Sequence, residues 1–471
     1  MGAGDTSTSV DLAVIGAGPG GYTAAIRGAR NGLDVLLVEK ETVGGVCLNH
    51  GCIPAKALIH AAGFQKDIQH WNDIGIQTGE LDVDFTAVQA WKNDVIARLD
   101  ENILKRLDEH GVEYCDGTAK FLDSNSICVE RNHEEETVTF DSAVIATGAQ
   151  PLEIPGLEFD NERLISSREI LQIEEVPDEI VVVGGGYIGM EAVTKFSKFG
   201  SRIKVVEARD RVLCMFEEEV VDSIQETNSE MYDNEIYTSA WARDVEYENG
   251  KPVLVVEQDG ETLRLSGDYI IVAAGREPTP ALEALGLENT AVEIGDDGFI
   301  ETDDRMRTAD ENVFCVGDAA GQPHLAHVAY REGTVAGGAA AGEDISFDNQ
   351  YIPAVMFTDP EVAVVGLTET DARENHGDVK VGTFPLSASG RALSANKSSG
   401  YVKVVAAPDE QLLGVQIVGA RASDMIAEAT LALELDASLD DITSTIHAHP
   451  TFPEALSDAA KAAQDGPSHA R

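Results

Sequence analysis

A glycine-rich unit that occurs twice constrains the fold of this chain more than any other feature. The first copy begins with a short apolar strand, Asp11–Ile15, and a helix is predicted from about Tyr22 to Asn31. A second strand, Asp34–Val38, then ends at Glu39. Between the first strand and the helix stand three spaced glycines: Gly16, Gly18 and Gly21. They allow a tight turn and close approach of a pyrophosphate, and the acid can meet a ribose hydroxyl, so the unit predicts a dinucleotide site.

The second copy repeats this order about 170 residues later. Its strands are Ile180–Val183 and Arg202–Val206, and its acid is Glu207. The matching glycines are Gly184, Gly186 and Gly189. Two complete units predict two different dinucleotides, one in each of two domains. Glu207 accepts hydrogen bonds from a free 2′-hydroxyl, which favours NAD. The nearby Arg209 and Arg211 could bind a 2′-phosphate, so NADP stays an alternative.

Two cysteines follow the first unit closely. Cys47 and Cys52 enclose only four residues. Closing so small a ring removes little chain entropy, so a redox role is favoured over a structural disulfide. A helix is predicted to begin with Ile53–Leu58, which puts Cys52 at the positive end of the helix dipole, where a thiolate is favoured. A zinc site is the alternative, but it needs two more ligands at suitable spacing, and the sequence offers none.

A histidine near the end of the chain is a candidate base. His449 is followed five residues later by Glu454, and a carboxylate bonded to one ring nitrogen would raise the basicity of the other. The alternative is that Glu454 caps the following helix, and it serves both purposes only if its two oxygens divide the work. His447 is predicted to pack or to face solvent. Because no third ligand stands near the two histidines, no metal site is predicted.

Three further apolar strands open onto turns that contain glycine. They lead into Thr147-Gly148, Gly275-Arg276 and Gly317-Asp318. The backbone of such a turn can meet a phosphate or a ribityl chain. Each turn taken alone is explained as well by a plain strand–turn junction, and their repetition in one chain favours cofactor contact.

In their order along the chain, these motifs resemble those of the pyridine nucleotide–disulfide oxidoreductases. The resemblance runs from Gly16 to Glu454 and therefore covers nearly the whole chain. It implies an α/β fold with two Rossmann-like dinucleotide-binding domains, for FAD and NAD, and a C-terminal α+β dimerisation domain. The implied segments are an FAD-binding domain at 1–150, an NAD-binding domain at 151–275, the rest of the FAD-binding domain at 276–345 and an interface domain at 346–471.

The C-terminal segment also has an α+β pattern of its own. Gly400–Ala406 and Gln411–Val418 alternate like paired strands, and Ala422–Leu435 has helical periodicity. The resemblance adds that this segment forms a homodimer contact and lends His449 to the active site of the partner subunit.

The resemblance also assigns the site residues. The implied catalytic residues are Cys47, Cys52, His449 and Glu454. The implied FAD-binding residues are Gly16, Gly18, Gly21, Glu39, Lys56, Ala119, Thr147, Gly148, Asp318, Ala326 and His327. The implied residues on the NAD side are Gly184, Gly186, Gly189, Glu191, Glu207 and Gly275. Lys56 and Glu191 are expected to form an ion pair close to the flavin.

Within the family, the motifs resemble the branch that oxidises dihydrolipoamide carried on a lysine of a partner protein. The implied cycle transfers a proton to His449, forms a mixed disulfide at Cys47, and passes electrons from Cys52 to FAD and then to NAD⁺. Glutathione and mercuric reductases share the cysteine loop and remain alternatives, as does a non-catalytic scaffold that binds FAD. The partner complex, whether a 2-oxo-acid dehydrogenase or the glycine cleavage system, stays open.

The cysteine loop departs from the family pattern at two positions. His50 stands where valine is usual, and Ala55 stands where serine or threonine is usual. His50 lies between the thiols and either tunes them or is a surface histidine, of which the surface interpretation is favoured. Neither departure removes a reacting group.

The net charge of the chain limits the partners and the surroundings that are compatible with it. It carries 83 acidic and 34 basic residues, a net charge of −49 that is spread along its length. Such a field repels nucleic acid and anionic membranes, and it favours adaptation to concentrated salt over an ordinary acidic enzyme. Neither a membrane span nor a targeting segment is found in the sequence, so a cytoplasmic location is expected. Six scattered cysteines exclude a secreted disulfide framework.

Overall fold

The structure is a computed structural model that describes residues 7–77, 79 and 82–465. It consists of two α/β units, each built on a sheet with parallel strands, and a C-terminal antiparallel sheet covered by helices. The fold class predicted from the sequence is therefore confirmed. Among the described residues, no helix is long and apolar enough to cross a membrane.

The first sheet has seven strands and holds the first glycine-rich unit. In spatial order, six of them are Glu113–Asp116, Val35–Glu39, Ser7–Ile15, Glu134–Ile145, Ser126–Arg131 and Thr118–Asp123. The seventh, Val313–Cys315, comes from much later in the chain and pairs in parallel with Glu134–Ile145. Every residue of Val35–Glu39 is buried, as expected for a parallel strand that is covered on both faces.

The second sheet holds the second glycine-rich unit. Its five strands, in spatial order, are Glu235–Tyr237, Arg202–Val206, Glu179–Val183, Tyr269–Val272 and Leu164–Ser166. All of its pairings are parallel, so the carboxyl ends of its strands meet at one edge. A three-stranded antiparallel sheet follows, with strands Ala240–Glu248, Lys251–Gln258 and Glu261–Ser266. A short ribbon pairs Ala149–Pro151 with Arg276–Pro278, where the chain leaves and re-enters the first unit.

The C-terminal sheet has five strands. In spatial order they are Ala354–Met356, Val362–Gly366, Leu412–Gly419, Gly400–Ala406 and Lys380–Pro385. Every pairing is antiparallel, and the predicted pairing of the two central strands is confirmed, with Val404 opposite Val415. Helices Ala422–Glu434 and Glu454–Asp465 bury their apolar residues against this sheet in one core.

Helices connect and cover the strands. The α-helices of the described residues are Pro19–Arg30, Gly45–His50, Cys52–His70, Phe85–Glu109, Tyr187–Phe199, Glu218–Met231, Pro280–Ala284, Ala326–Ala340, Glu369–His376, Gly390–Ser394, Ala422–Glu434, Leu439–Ser444 and Glu454–Asp465. The helix predicted from about Tyr22 begins three residues earlier, at Pro19. Proline is well tolerated in the first helical turn, because its missing N–H would have no partner there.

Two helices cross at backbone contact beside the first nucleotide unit. On Ala326–Ala340, a Cβ added to Gly333 would overlap the carbonyl oxygen of Gly20, and one added to Gly337 would overlap that of Ala24. Because no side chains separate the two helices at this crossing, Ala326–Ala340 is held at a fixed position against Pro19–Arg30.

Candidate active site

The first glycine-rich turn needs each of its glycines for a different reason. Gly16 has a φ of +101°, a conformation that L-residues rarely adopt. A Cβ on Gly21 would overlap the carbonyl oxygen of Gly16, so this glycine lets the helix pack on the turn. Around Gly18, by contrast, the chain leaves nothing within 4 Å of a Cβ position. Gly18 therefore borders open space of the kind that a pyrophosphate would fill.

The second turn repeats this geometry. Gly184 has a φ of +103°, and a Cβ on Gly189 would overlap the carbonyl oxygen of Gly184. Nothing lies within 4 Å of a Cβ position on Gly186. The two turns are thus built alike, although they stand on different sheets.

The acidic residue of each unit is held by the turn itself. Glu39 Oε2 accepts a hydrogen bond from the backbone N–H of Ala17, and Glu207 Oε2 accepts one from that of Gly185, both at 2.7 Å. In each unit, the backbone N–H two residues after the acid donates to the other oxygen, at 2.8 and 2.9 Å. Each carboxylate is therefore fixed at the strand end where a ribose hydroxyl would bind.

One cavity of about 2310 Å³ runs along both turns. The predicted site residues that line it are Gly16, Gly18, Glu39, Cys47, Cys52, Lys56, Ala119, Thr147, Gly148, Gly184, Gly186, Glu191, Glu207, Gly275, Asp318, Ala326 and His327. The predicted residues absent from its lining are Gly21, Gly189, His449 and Glu454. The buried hydroxyl of Thr147 has no hydrogen-bond partner within the described chain. The unpaired hydroxyl and the open space at both turns fit two bound dinucleotides.

The two cysteines lie in consecutive helices. Cys47 is in the short helix Gly45–His50, and Cys52 is the first residue of Cys52–His70, as the predicted helix start requires. Both are free thiols. A hydrogen bond from Cys47 lowers the pKa of Cys52, and Lys56 lowers it further against the effect of burial. The same hydrogen bond, together with burial, raises the pKa of Cys47. A thiolate on Cys52 beside a protonated Cys47 is the arrangement that this site favours.

Lys56 and Glu191 form an ion pair next to the thiols. Lys56 Nζ lies 2.9 and 2.8 Å from the two carboxylate oxygens of Glu191. The backbone N–H of Phe357 donates to the same carboxylate at 3.0 Å, and Lys56 Nζ lies 4.8 Å from the centre of the Phe357 ring. Three distant segments therefore fix one charge pair in the cavity wall.

Asp318 lies in a polar cluster of the same wall. Arg276 Nε stands 3.0 Å from Asp318 Oδ2, and His324 Nδ1 stands 3.8 Å from Asp318 Oδ1. His327 does not join this cluster, because its Nε2 lies 2.9 Å from the backbone oxygen of Pro353. The roles of Arg276 and His324 were not predicted, since Arg276 lies far from Asp318 in the sequence and no local pattern marks either contact.

The interpretation of His50 as a surface histidine is wrong. The residue is half-buried, and its Nε2 lies 2.9 Å from the guanidinium of Arg168, which also pairs with Glu41 at 2.9 Å. Burial and then the charge of Arg168 lower the pKa of His50, so the ring is neutral near pH 7. Arg168 comes from a distant part of the chain, which is why no local sequence pattern indicates this contact.

Glu454 contacts His449 with one carboxylate oxygen and binds the turn before its own helix with the other. Oε1 lies 2.8 Å from His449 Nδ1, and Oε2 accepts a hydrogen bond from the backbone N–H of Thr451 at 2.7 Å. The division between two oxygens that the sequence demanded is therefore present. The side chain of His449 is 81% exposed, and the residue is absent from the lining of the cavity that contains the cysteines.

His447 packs instead of facing solvent. Its Nε2 lies 2.8 Å from Glu428, and its side chain is only 9% exposed. Within the described part of the chain, no group of three or more His, Cys, Asp or Glu side chains is arranged to hold a metal ion.

Comparison with known proteins agrees with this geometry. A family model described as pyridine nucleotide-disulphide oxidoreductase matches residues 10–333, and the dimerisation domain of the same family matches residues 352–460. This chain belongs to that family. The oxidoreductase is 44% identical to dihydrolipoyl dehydrogenase 2 of Haloarcula marismortui, with 99% of each chain covered. It is 42% identical to the dihydrolipoyl dehydrogenase of Bacillus subtilis, again with 99% of each covered.

Solved structures show the same architecture. LpdA from Mycobacterium tuberculosis matches the oxidoreductase with a TM-score of 0.89 over 96% of this chain and 99% of that one, at 24% identity, which speaks for the fold alone. The HOCl-induced flavoprotein disulfide reductase RclA from Escherichia coli matches with a TM-score of 0.85 and 26% identity over the same shares. The cofactors of the oxidoreductase are FAD and NAD.

Proposed function

We propose that this protein is a flavoprotein that oxidises dihydrolipoamide to lipoamide with NAD⁺. The observation that carries the proposal is the pair of cysteines in the wall of a cavity that runs along both nucleotide turns. Relatives named dihydrolipoyl dehydrogenase, which match over nearly their whole length, support the choice of substrate.

The cysteines carry the exchange of electrons with the substrate. A lipoyl thiolate attacks Cys47 of the oxidised pair, the bond between Cys47 and Cys52 breaks, and its electron pair goes to Cys52. The second lipoyl thiolate then attacks the first lipoyl sulfur, and the electron pair of that mixed disulfide leaves on Cys47. The lowered pKa of Cys52 helps the first of these steps, because it makes Cys52 the better leaving group.

His449 is the base that we assign to the lipoyl thiols. Glu454 occupies its Nδ1, so Nε2 is the nitrogen that remains to accept a proton. Since His449 is exposed and does not line the cavity of its own chain, it serves the cysteines of another copy. The dimerisation domain supports a homodimer, and we propose that each subunit lends its His449 to the other.

The two nucleotides are assigned to the two turns. We propose that the first turn and its acid hold FAD, together with Lys56, Ala119, Thr147, Gly148, Asp318, Ala326 and His327. NAD is assigned to the second turn with Glu191, Glu207 and Gly275. FAD bound in this way supplies two-electron transfer between a dithiol and a nicotinamide. The residues of the chain contribute a fixed ion pair, two anchored ribose-binding acids and a thiolate in the cavity wall.

We also propose the domain limits, which are 1–150 and 276–345 for FAD, 151–275 for NAD and 346–471 for the interface. Pairing of Val313–Cys315 with the first sheet supports the return of the chain to the FAD domain. Residues 1–6, 78, 80, 81 and 466–471 lie outside the described residues. A lipoylated protein of a 2-oxo-acid dehydrogenase complex or of the glycine cleavage system is the partner that we propose.

The substrate assignment is tested with the FAD-loaded protein in molar salt without oxygen. Dihydrolipoamide and NAD⁺ should yield NADH, and Cys47→Ser should abolish that yield while leaving bound FAD unchanged. Reduced glutathione with NAD⁺ is the matched control and should yield none. NADH formation from glutathione but not from dihydrolipoamide would assign the protein to a different disulfide substrate.

Lending of His449 is tested by mixing two inactive variants. Cys47→Ser lacks the attacked sulfur, and His449→Gln lacks the base. If each site draws on two subunits, half of the dimers formed by random mixing contain one complete site, so activity should return to about a quarter of the wild-type value. If cysteine and histidine act within one subunit, the mixture should remain inactive.

A further inference from the structure

Arg168 contacts two points of the segment 41–50, which carries Cys47. Its guanidinium lies 2.9 Å from Glu41 Oε2 and 2.9 Å from His50 Nε2. Glu41 is the first residue of the segment and His50 is the last, so one side chain from a distant part of the chain spans it. None of the reaction steps described above uses either contact.

This segment lies against the first glycine-rich turn. The backbone N–H of Glu41 donates to Oε1 of Glu39, the acid of that turn, at 2.8 Å. A Cβ added to Gly45 would stand only 2.7 Å from the Cα of Gly18, so backbone meets backbone there. The segment that Arg168 spans therefore borders both the acid and the turn to which we assign FAD.

Arg168 itself stands on a fixed base. It follows strand Leu164–Ser166 of the second sheet, and its backbone N–H donates to the hydroxyl at the end of that strand at 3.0 Å. On its other side, the Nζ of Lys92, which is 0% exposed, donates to the carbonyl oxygen of Leu171 at 2.6 Å. Because the backbone is anchored on both sides, the guanidinium is presented from a fixed position.

The contact with His50 requires a neutral imidazole. Arginine has only hydrogen-bond donors, so Nε2 of His50 is the acceptor and the ring hydrogen is on Nδ1, which is buried and has no partner among the described residues. Protonation of Nε2 would replace the hydrogen bond with two cations that compete for Glu41. The other charged groups that act on the ring are Glu169, which favours its protonation, and Lys92, which opposes it.

We propose that Arg168 is a positioning residue that clamps segment 41–50 beside the site assigned to FAD, and that protonation of His50 opens this clamp. With the neutral ring, Arg168 holds both ends of the segment and FAD leaves slowly. With the protonated ring, one of the two contacts is lost, the segment loosens and FAD leaves faster. The clamp rests on the proposed placement of FAD, and it depends on neither the disulfide substrate nor NAD⁺.

The test follows the release of FAD from the loaded protein in molar salt, by the rise in flavin fluorescence after dilution. Arg168→Met should release FAD about tenfold faster at pH 7.5, because both contacts are lost. His50→Val, which introduces the residue usual in this family, loses one contact and should release FAD at an intermediate rate.

The pH profile separates the clamp from a merely structural role. Burial and the charge of Arg168 lower the pKa of His50 from its ordinary 6.5, so the wild-type rate should rise between pH 6.5 and 5 toward that of Arg168→Met. His50→Val should lack this rise. Glu332 also titrates here, since burial raises its pKa to about 6, but it is present in every variant. The step assigned to His50 is therefore the difference between the wild type and His50→Val.

Arg163→Met is the matched control, because it removes another cation close to the same strand. The Arg163 guanidinium lies 4.9 Å from the centre of the Tyr269 ring, and the residue does not line the cavity. Its release rate should coincide with that of the wild type at every pH. A rate for Arg168→Met equal to that of this control would overturn the proposal, as would an acid step in His50→Val as large as in the wild type.

Glu39→Gln tests the placement of FAD separately. It weakens the contact assigned to the ribose and should speed release whether or not Arg168 acts as a clamp. Faster release from Glu39→Gln but not from Arg168→Met would overturn the clamp and leave the placement intact. Faster release from neither variant would overturn both.

Discussion

Glu454 gives each of its carboxylate oxygens a separate partner, and the two tasks can be separated by substitution. Glu454→Gln keeps an oxygen for the Thr451 N–H but loses the charge beside His449. We expect kcat/KM for dihydrolipoamide to fall by about 100-fold, because an uncharged partner no longer supports the basic ring, while Tm stays the same. Steady-state kinetics and a thermal melt of the same sample check this. A melt that falls together with the activity would make the residue a helix cap only.

The titration of Lys195 has a measurable consequence for the stability of the fold. It is 3% exposed in the cavity wall, and burial lowers its pKa to about 7, although Glu191 opposes the shift. Between pH 7 and about pH 10 the unfolded chain binds a proton there that the folded chain does not, so this group makes stability rise with pH. Below pH 7 the lysine is charged in the folded protein as well, and the free-energy cost of burying that charge has its full value.

Lys195→Met should therefore stabilise the fold, by roughly 2 kcal/mol at pH 6 and by almost nothing near pH 10. Denaturant unfolding at a series of pH values measures the difference. Lys198→Met is the matched control on the same helix, because Lys198 is paired with Asp359 at 2.9 Å and its loss should destabilise the protein. Equal stabilisation of both variants would mean that removing any cation from this acidic chain has the same effect.

For single residues, candidate reactive groups are easier to identify from the sequence than the residues that surround them in the folded protein. Cys47, Cys52 and Glu454 stand in short local motifs whose chemistry can be argued from spacing. The contacts of His50 with Arg168 and of Arg276 with Asp318 join residues far apart in the chain, and no spacing reveals them. They follow from how the sheets are assembled.

At the scale of structural elements, the two kinds of glycine in a nucleotide turn predict different effects of substitution. Gly186 borders open space and has an ordinary negative φ, so Gly186→Ala should fold normally and place a methyl group in the space that we assign to the nucleotide phosphates. We expect the Kd for NAD⁺ to rise about tenfold or more, with FAD content and Tm unchanged. Equilibrium titration with NAD⁺ gives the Kd.

Gly189→Ala is the comparison within the same turn. Its Cβ would overlap the carbonyl oxygen of Gly184, so Tm should fall and NAD⁺ binding should weaken only as a result of the lost fold. The reverse pattern, with Gly186→Ala unstable and Gly189→Ala only defective in binding, would contradict the roles assigned to the two glycines.

Elements with strong periodicity were predictable, and short ones were not. The two parallel strands of each unit and the paired C-terminal strands lie where the sequence places them. The helix Gly45–His50 was missed, because six residues between glycines carry no helical periodicity. Helix ends that depend on capping were not predicted either. At Pro19, the sequence does not show which turn of a glycine-rich segment begins the helix.

For the molecule as a whole, the excess of acidic side chains predicts a strong dependence on salt. The net charge of −49 is spread over the chain, and raising the salt to molar concentration shortens the Debye length to about 3 Å. We therefore expect Tm to rise between 0.1 and 2 M KCl as mutual repulsion is screened. Calorimetry in KCl, with sucrose of equal osmolality as control, measures this. An equal rise in sucrose would assign the effect to exclusion of solute from the surface.

The assembly of the two nucleotide units was predictable in outline because each unit is complete in sequence. Their joining into one cavity was not, because it depends on how Tyr187–Phe199 packs against Cys52–His70 through contacts such as that of Lys56 with Glu191. The exposed position of His449 likewise belongs to the folded molecule and has no signature in the residues around it.

That exposed histidine has a consequence for how the enzyme responds to dilution. A lone subunit retains both nucleotide turns and both thiols, but its own His449 is exposed to solvent and does not line the cavity that contains its own cysteines. As dimers dissociate, oxidation of dithiols should cease while transfer of electrons from NADH to a small artificial acceptor continues. The ratio of these two rates would then report the fraction of dimer, so that catalysis itself measures the association constant.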